Sequence, residues 1–151
     1  MPQPLLICLD GEPHTLDAVA WAVRLADALA LQLTGLHIKD PYLKQFQNDI
    51  YAQGRREYLA HVEGCLVDQA HRVGAEFTAL CEQHGVAHDY RVREGEPLKE
   101  ILAEYATVPC QLLIVGGKPL AGLRRFRSRN LPARLEQRLS APIMIVRSQR
   151  T

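Results

Sequence analysis

Leu5-Leu6-Ile7-Cys8-Leu9 is an unbroken apolar run closed by Asp10-Gly11. It is short and has no polar alternation, which predicts a strand buried on both faces. Apolar residues then fall at Leu16, Val19, Ala20, Val23, Ala26 and Ala30. That spacing is helical, with Thr15 placed as an N-cap. The same grammar repeats outward along the chain. Residues 33–38 predict a second strand, stopped by Asp40-Pro41. Helical period returns from Leu59 (Leu59, Val62, Leu66, Val73, Phe77, Leu80) and stops at Gly85. Residues 43–58 are less regular, and Gly54 is a candidate break. Residues 88–93 predict a strand near a sheet edge, and Pro97 fits the first turn of a helix carrying Leu98, Ile101, Leu102 and Tyr105. Leu112-Leu113-Ile114-Val115, the most apolar strand, ends at Gly116-Gly117. Asn130 is placed to cap a last short helix (Leu131, Leu135, Leu139), and Pro142 opens the strand Ile143-Met144-Ile145-Val146.

Strands and helices alternate throughout, so the fold class is α/β: a parallel sheet with helices on both faces. The 151 residues and 17.0 kDa make a single domain spanning 1–151, with no linker, repeat or low-complexity segment. Hydrophobic residues at 47% and charged residues at 23% are globular composition. Lys+Arg 18 against Asp+Glu 17 leaves a net charge of +1, which argues against bulk polyanion binding, so no nucleic-acid partner is expected. The first residues lack the pattern of a signal peptide, and no apolar stretch approaches the ~18 residues of a membrane span. The expectation is a cytoplasmic protein with no membrane partner. Cys8, Cys65, Cys81 and Cys110 include no C-x-x-C pair, so free, mostly buried thiols are expected.

Ligands of open parallel sheets sit beyond the carboxyl ends of the strands, where strand order reverses. Here those ends are Asp10-Gly11, Ile38-Lys39-Asp40, Glu94-Gly95 and Gly116-Gly117-Lys118. Neither a P-loop nor a G-x-G-x-x-G follows the first strand. Asp10 and Glu94 imitate the acidic cluster of a phosphoacceptor domain poorly. No Ser–His–Asp constellation can be assembled, and no histidine spacing supports a metal site; His84 and His88 are separated by Gly85.

Five segments taken in order resemble the universal stress protein family: Leu6-Ile7-Cys8-Leu9-Asp10-Gly11-Glu12, Leu33-Thr34-Gly35-Leu36-His37-Ile38, Val92-Arg93-Glu94-Gly95-Glu96-Pro97, residues 112–116, and Ala141-Pro142-Ile143-Met144-Ile145-Val146. The resemblance covers nearly the whole chain. It implies a five-stranded, Rossmann-like parallel sheet of order 3-2-1-4-5, a homodimer joined through strand 143–146, and a role in stress adaptation or signalling. It also implies an adenine-nucleotide pocket for ATP or AMP. By position, Cys8, Leu9 and Ile38 would line the adenine, Asp10 would lie beside ribose or base, and Val115 and Gly116 would contact base and sugar. The phosphates would lie in a cradle made by Lys118, Gly122, Arg129, Asn130 and Leu131.

That cradle departs from the family pattern G-x-x-G-x(9)-G-[ST]. Gly116 is kept, but Pro119, Arg129 and Asn130 stand at the other three positions. Proline has no N–H to give a phosphate. An arginine where backbone φ is positive costs roughly 1–2 kcal/mol. Asn130 can still cap a helix. Against these losses, Lys118, Arg124, Arg125, Arg127, Arg129 and Arg134 fall in one stretch that carries no acid, a local field able to replace lost amides with guanidinium groups. Three readings follow. The first is a non-enzymatic, dimeric stress-response domain whose nucleotide pocket is degraded or rebuilt around arginine. The second is a slow ATP-hydrolysing enzyme, although no residue beyond Asp10 offers a metal ligand or a placed water. The third is an interaction module whose basic 118–134 loop docks an acidic protein partner or a small anion without nucleotide.

Overall fold

The structure, a computed structural model, describes residues 2–12, 15–40, 52–117 and 131–147. Within them the chain runs β1 (Leu5–Leu9), α1 (Thr15–Leu29), β2 (Leu33–Lys39), α2 (Ala52–Gln83), β3 (His88–Glu94), α3 (Pro97–Thr107), β4 (Leu112–Gly117), α4 (Leu131–Arg138) and β5 (Ile143–Arg147). The five strands form one parallel sheet of order β3-β2-β1-β4-β5. Fold class and strand order are those expected.

Because side chains alternate across a strand, each central strand feeds two cores. Leu5, Ile7 and Leu9 of β1, Leu33 of β2 and Ile114 of β4 pack with Val19, Val23 and Ala26 of α1 and Val73, Phe77 and Cys81 of α2. Leu6, Leu36, Leu113 and Val115 pack on the other side with Leu98 and Ile101 of α3 and Leu135 of α4. Burial on both faces is why these strands are apolar without alternation.

The helix expected from Leu59 begins at Ala52 and runs through Gly54. A glycine inside a helix costs about 1 kcal/mol relative to alanine, and the packing of α2 outweighs it. The helix ends as its sequence implied. Gly85 takes φ +65°, Gly85 N–H donates to Glu82 O (3.2 Å), and Val86 N–H donates to Cys81 O (2.9 Å). Pro97 occupies the first turn of α3. Thr15 is the first helical residue of α1 rather than a cap that accepts an N–H; its hydroxyl donates to Asp10 Oδ1. The Asn130 cap lies outside the described residues.

The two sheet edges differ in chemistry. β3 presents charged side chains held in ion pairs: Arg91 with Asp89 and Glu104, and Arg93 with Glu100 and Glu104. β5 presents Ile143, Met144 and Ile145, with Ile145 50% exposed. Charge on an edge strand discourages pairing with another chain, and an apolar edge invites it.

Candidate functional site

The hydrogen-bonded register opens a crevice at the centre of the sheet. β1 stays paired with β2 through Leu9↔His37, and β4 with β5 through Gly117↔Arg147. Pairing between β1 and β4, however, ends at Ile7↔Ile114. Beyond that point the two strands continue toward different neighbours. This is where strand order reverses and where the fold places ligands.

Four of the expected pocket residues meet on one face there. Cys8 from β1, Ile38 from β2 and Leu131 from the start of α4 are partly buried hydrophobics packed against the core cluster that contains Val115. Gly116 follows Val115 and is half-buried. Burial, reinforced by the nearby Cys110 and Asp10, pushes the Cys8 thiol up to about 12. It therefore presents a neutral S–H, an apolar surface that suits a purine face.

Leu9 does not join them. Strand alternation turns it to the opposite face, where it packs among the α1 and α2 residues and its carbonyl accepts from His37 Nδ1 (2.8 Å). Asp10 lies at the mouth of the crevice, but Oδ1 is engaged locally. It accepts from Glu12 N–H (2.9 Å) and from the Thr15 hydroxyl, which fixes the β1–α1 turn. Lys118, Gly122, Arg129 and Asn130 lie outside the described residues, as do Pro119 and the arginines from Arg124 to Arg127. Of the basic stretch, Arg134 is described, and it pairs with Glu96 at 3.6 Å, which ties α4 to the start of α3.

A separate cavity of about 110 Å³ lies between α1 and α2, lined by Leu9, Leu16, Val19, Val73 and Phe77, with Arg72 and Glu76 also in its wall. Sites that enclose whole ligands run to ~300–1,000 Å³, so it is too small for a nucleotide. It also lies on the face away from Cys8 and Ile38. Among the described residues no group of three His, Cys, Asp or Glu side chains could hold a metal ion. His84 and His88 each place Nδ1 on a local carbonyl, of Leu80 and Val86 respectively. All four cysteines are free; Cys81 and Cys110 are buried, and Cys65 is exposed beside His61 (Sγ···Nε2 3.7 Å). No helix among the described residues is long and apolar enough to cross a membrane.

Two buried ionisable residues were missed in the sequence. Glu104 of α3, 3% exposed, accepts from Arg91 Nη1 and Arg93 Nε, each at 2.6 Å. Burial alone would raise its carboxyl, but the two guanidinium groups bring it below the usual carboxylate range. A signal existed: Glu104 follows Ile101 by three residues, on the stripe of Leu98 and Ile101 that α3 buries. His37 of β2 is 1% exposed, and its Nε2 is buried with no hydrogen-bond partner among the described residues. Burial lowers its pKa below the ordinary histidine value; Lys39 and Arg72 add to this, while the Leu9 bond and Asp10 oppose it.

The sequence model of the universal stress protein family matches residues 1–147, and the chain belongs to that family. No curated protein sequence matches it significantly. Similar solved structures include a universal stress protein family member from Burkholderia pseudomallei (TM-score 0.74, 18% identity, 95% of each chain covered). An Arabidopsis thaliana family protein with AMP bound gives 0.69 at 16% identity, covering 99% of this chain and 94% of that one. The universal stress protein from Archaeoglobus fulgidus in complex with dAMP gives 0.64 at 11% identity, covering 95% and 97%. At these identities the structures establish the fold.

Proposed function

We propose that this chain is a single-domain, non-enzymatic stress-response protein that binds an adenine nucleotide in the β1–β4 crevice. The observation that carries the reading is the early end of the β1–β4 ladder at Ile7↔Ile114, with Cys8, Ile38, Val115 and Leu131 gathered on one face beside it. These residues would hold the base by apolar contact, and Gly116 would admit it to the strand end. AMP and dAMP in the two relatives named above support the ligand class. The phosphate side depends on the 118–130 segment, whose sequence has lost three of the four family positions.

The test is titration calorimetry of ATP and AMP against the wild type, the triple variant Pro119→Gly/Arg129→Gly/Asn130→Ser, and Arg129→Ala. Each restored contact to a charged phosphate is worth roughly 1.5–3 kcal/mol, and ~1.4 kcal/mol is one decade of affinity. A degraded cradle predicts weak ATP binding that the triple variant strengthens tenfold or more. A cradle rebuilt from arginine predicts that both variants weaken binding and that added salt weakens the wild type. No heat from any of the three folded proteins would remove the nucleotide reading and favour the interaction module.

The same reading makes the protein a homodimer through residues 143–146, because β5 is the apolar edge of the sheet. Sedimentation should give a dimer at tens of micromolar, roughly the range in which obligate dimers persist, and Ile145→Lys should halve the mass. A wild-type monomer, or an Ile145→Lys protein of unchanged mass, would overturn the assembly.

A further inference from the structure

We propose that Trp21 and Leu25, on one flank of α1, pack against the same two residues of a second copy of this chain and so fill a groove over the paired β5 strands. This contact rests on the β5 pairing proposed above and adds a second layer to it. Helix α1 lies over β1, β4 and β5, and α2 over β2 and β3. Leu16 and Val19 of α1 face α2 across the cavity between the helices. At about 100° per residue, Trp21 and Leu25 stand about 140–180° round the helix from Leu16, on the flank toward the β5 edge. Trp21, the one tryptophan of the chain, is 47% exposed, with Arg24 over its ring at 4.6 Å. Leu25 is partly buried and packs against the same core as Met144 of β5.

The level of this flank agrees with the apolar edge. Thr15, at the start of α1, bonds Asp10 just beyond β1, and Leu5 N–H, at the other end of β1, donates to Gln32 O. Helix α1 therefore runs back antiparallel to the strand. Trp21 comes six residues after Thr15, a descent of ~9 Å. That is about three residues of strand, which brings Trp21 to the level of Ile7. Ile7 registers with Ile114, and Ile114 with Met144. Trp21 thus stands level with the middle of Ile143-Met144-Ile145.

A second copy is the occupant this geometry fits. An edge strand that pairs with its own copy does so about a two-fold axis perpendicular to the sheet, which leaves both α1 helices on the same face. Three strand spacings, ~14 Å, then separate β4 from the β4 of the second copy, and each α1 is centred over its own β4. Helices in direct contact lie ~8–10 Å apart, so a groove is left between the two α1 helices, with Met144 of each copy as its floor. The groove is too narrow for another helix, whose diameter is ~10–12 Å, and wide enough for large side chains. Trp21 and Leu25 from the two sides fill it. The opposite edge has no such layer: beside β3 the flank of α2 presents His71, Gly74, Ala75 and Thr78, which are small or polar.

The experiment measures mass by sedimentation and the surroundings of Trp21 by its own fluorescence, on the full chain over a dilution series down from about 100 μM, because dissociation depends on protomer concentration. The expected result is blue-shifted emission that resists acrylamide in the dimer. On dilution the emission should shift to the red and open to the quencher with the same midpoint as the mass. Ile145→Lys should give the open, red-shifted state at every concentration. Trp21→Ala should raise the dissociation constant about tenfold or more, since a central tryptophan is lost from both copies at once. Val67→Ala, which trims an exposed apolar residue of α2, should leave it unchanged. A dimer that Ile145→Lys dissociates, but whose Trp21 is quenched as freely as in that monomer, overturns the groove contact and leaves the β5 pairing standing. So does a Trp21→Ala dimer as tight as the wild type. A wild-type monomer, or a dimer that Ile145→Lys leaves intact, overturns the β5 pairing and the groove contact with it.

Discussion

Glu104 beneath α3 and His37 beneath α2 lie on opposite faces of the same sheet, and each is sealed from solvent. The α3 face supplies its carboxylate with two guanidinium partners at 2.6 Å. The α2 face supplies its imidazole with one carbonyl and leaves the second nitrogen bare. The carboxylate is therefore held in its charged form by its partners, and the imidazole in its neutral form by burial. Glu104 joins α3 to the edge strand β3, whose charges also guard that edge. His37 of β2 bonds the carbonyl of Leu9, the last residue of β1. Both sites lose stability in acid, but over different ranges and for different reasons.

The largest expected effect comes from breaking the fastening. Glu104→Gln keeps the shape and removes the charge that Arg91 and Arg93 address. Stranding the partners of a buried pair costs ~3–5 kcal/mol. Here the side chains of Arg91 and Arg93 are 40% and 27% exposed and can turn to water, so about 2–3 kcal/mol is expected. Urea unfolding measures it as a lowered midpoint at unchanged slope. A loss below about 0.5 kcal/mol, the ordinary surface range, would show that the network contributes little to stability.

An acid titration of stability separates the two faces. The His37 pKa is lowered by folding, so the unfolded chain takes up a proton first as pH falls, and stability declines from about the unfolded value of ~6.5 downward. The Glu104 pKa is also lowered, with its arginine bonds outweighing burial. Its contribution is complete above an ordinary glutamate value of ~4.3 and is lost as pH falls through the folded value. Wild-type stability should therefore fall in two stages, a shallow one starting near ~6.5 and a steeper one below ~4.3. Glu104→Gln should remove only the lower stage, and His37→Gln only the upper. A single stage in the wild type, or one variant that erases both, would end the distinction between the faces.

The sequence made the strands legible because burial on both faces removes alternation and leaves runs such as residues 112–115. It disclosed less of the site, because strand period decides which side a residue serves. Leu9 belongs with Cys8 in the sequence and against it in space. The start of α2 was hidden because Gly54 is a poor helix former that packing overrides. Glu104 could have been found from the α3 stripe together with the alternating Arg91 and Arg93. His37 could not, since a histidine inside an apolar strand gives no sign of which nitrogen finds a partner.

The smallest expected effect lies wholly on the α2 face, where two helices end by the same device with different residues. At the end of α2, Gly85 takes the left-handed conformation; at the end of α1, Ala30 does so, with φ +54°. The bonds match: Ala30 N–H to Asp27 O at 3.3 Å and Leu31 N–H to Ala26 O at 3.0 Å. Alanine pays a conformational cost of roughly 1–2 kcal/mol there, partly offset because glycine has more backbone freedom to lose on folding. Ala30→Gly should therefore stabilise the protein by about 0.5–1 kcal/mol, or about 1–4 °C in Tm for a chain of this length. Gly85→Ala should cost a similar amount. A Cβ at Gly85 would meet nothing within 4 Å, so that change isolates backbone strain from packing. Calorimetry on the pair should show opposite shifts of similar size. A destabilised Ala30→Gly beside a neutral Gly85→Ala would mean that contacts, and not backbone conformation, set these two ends.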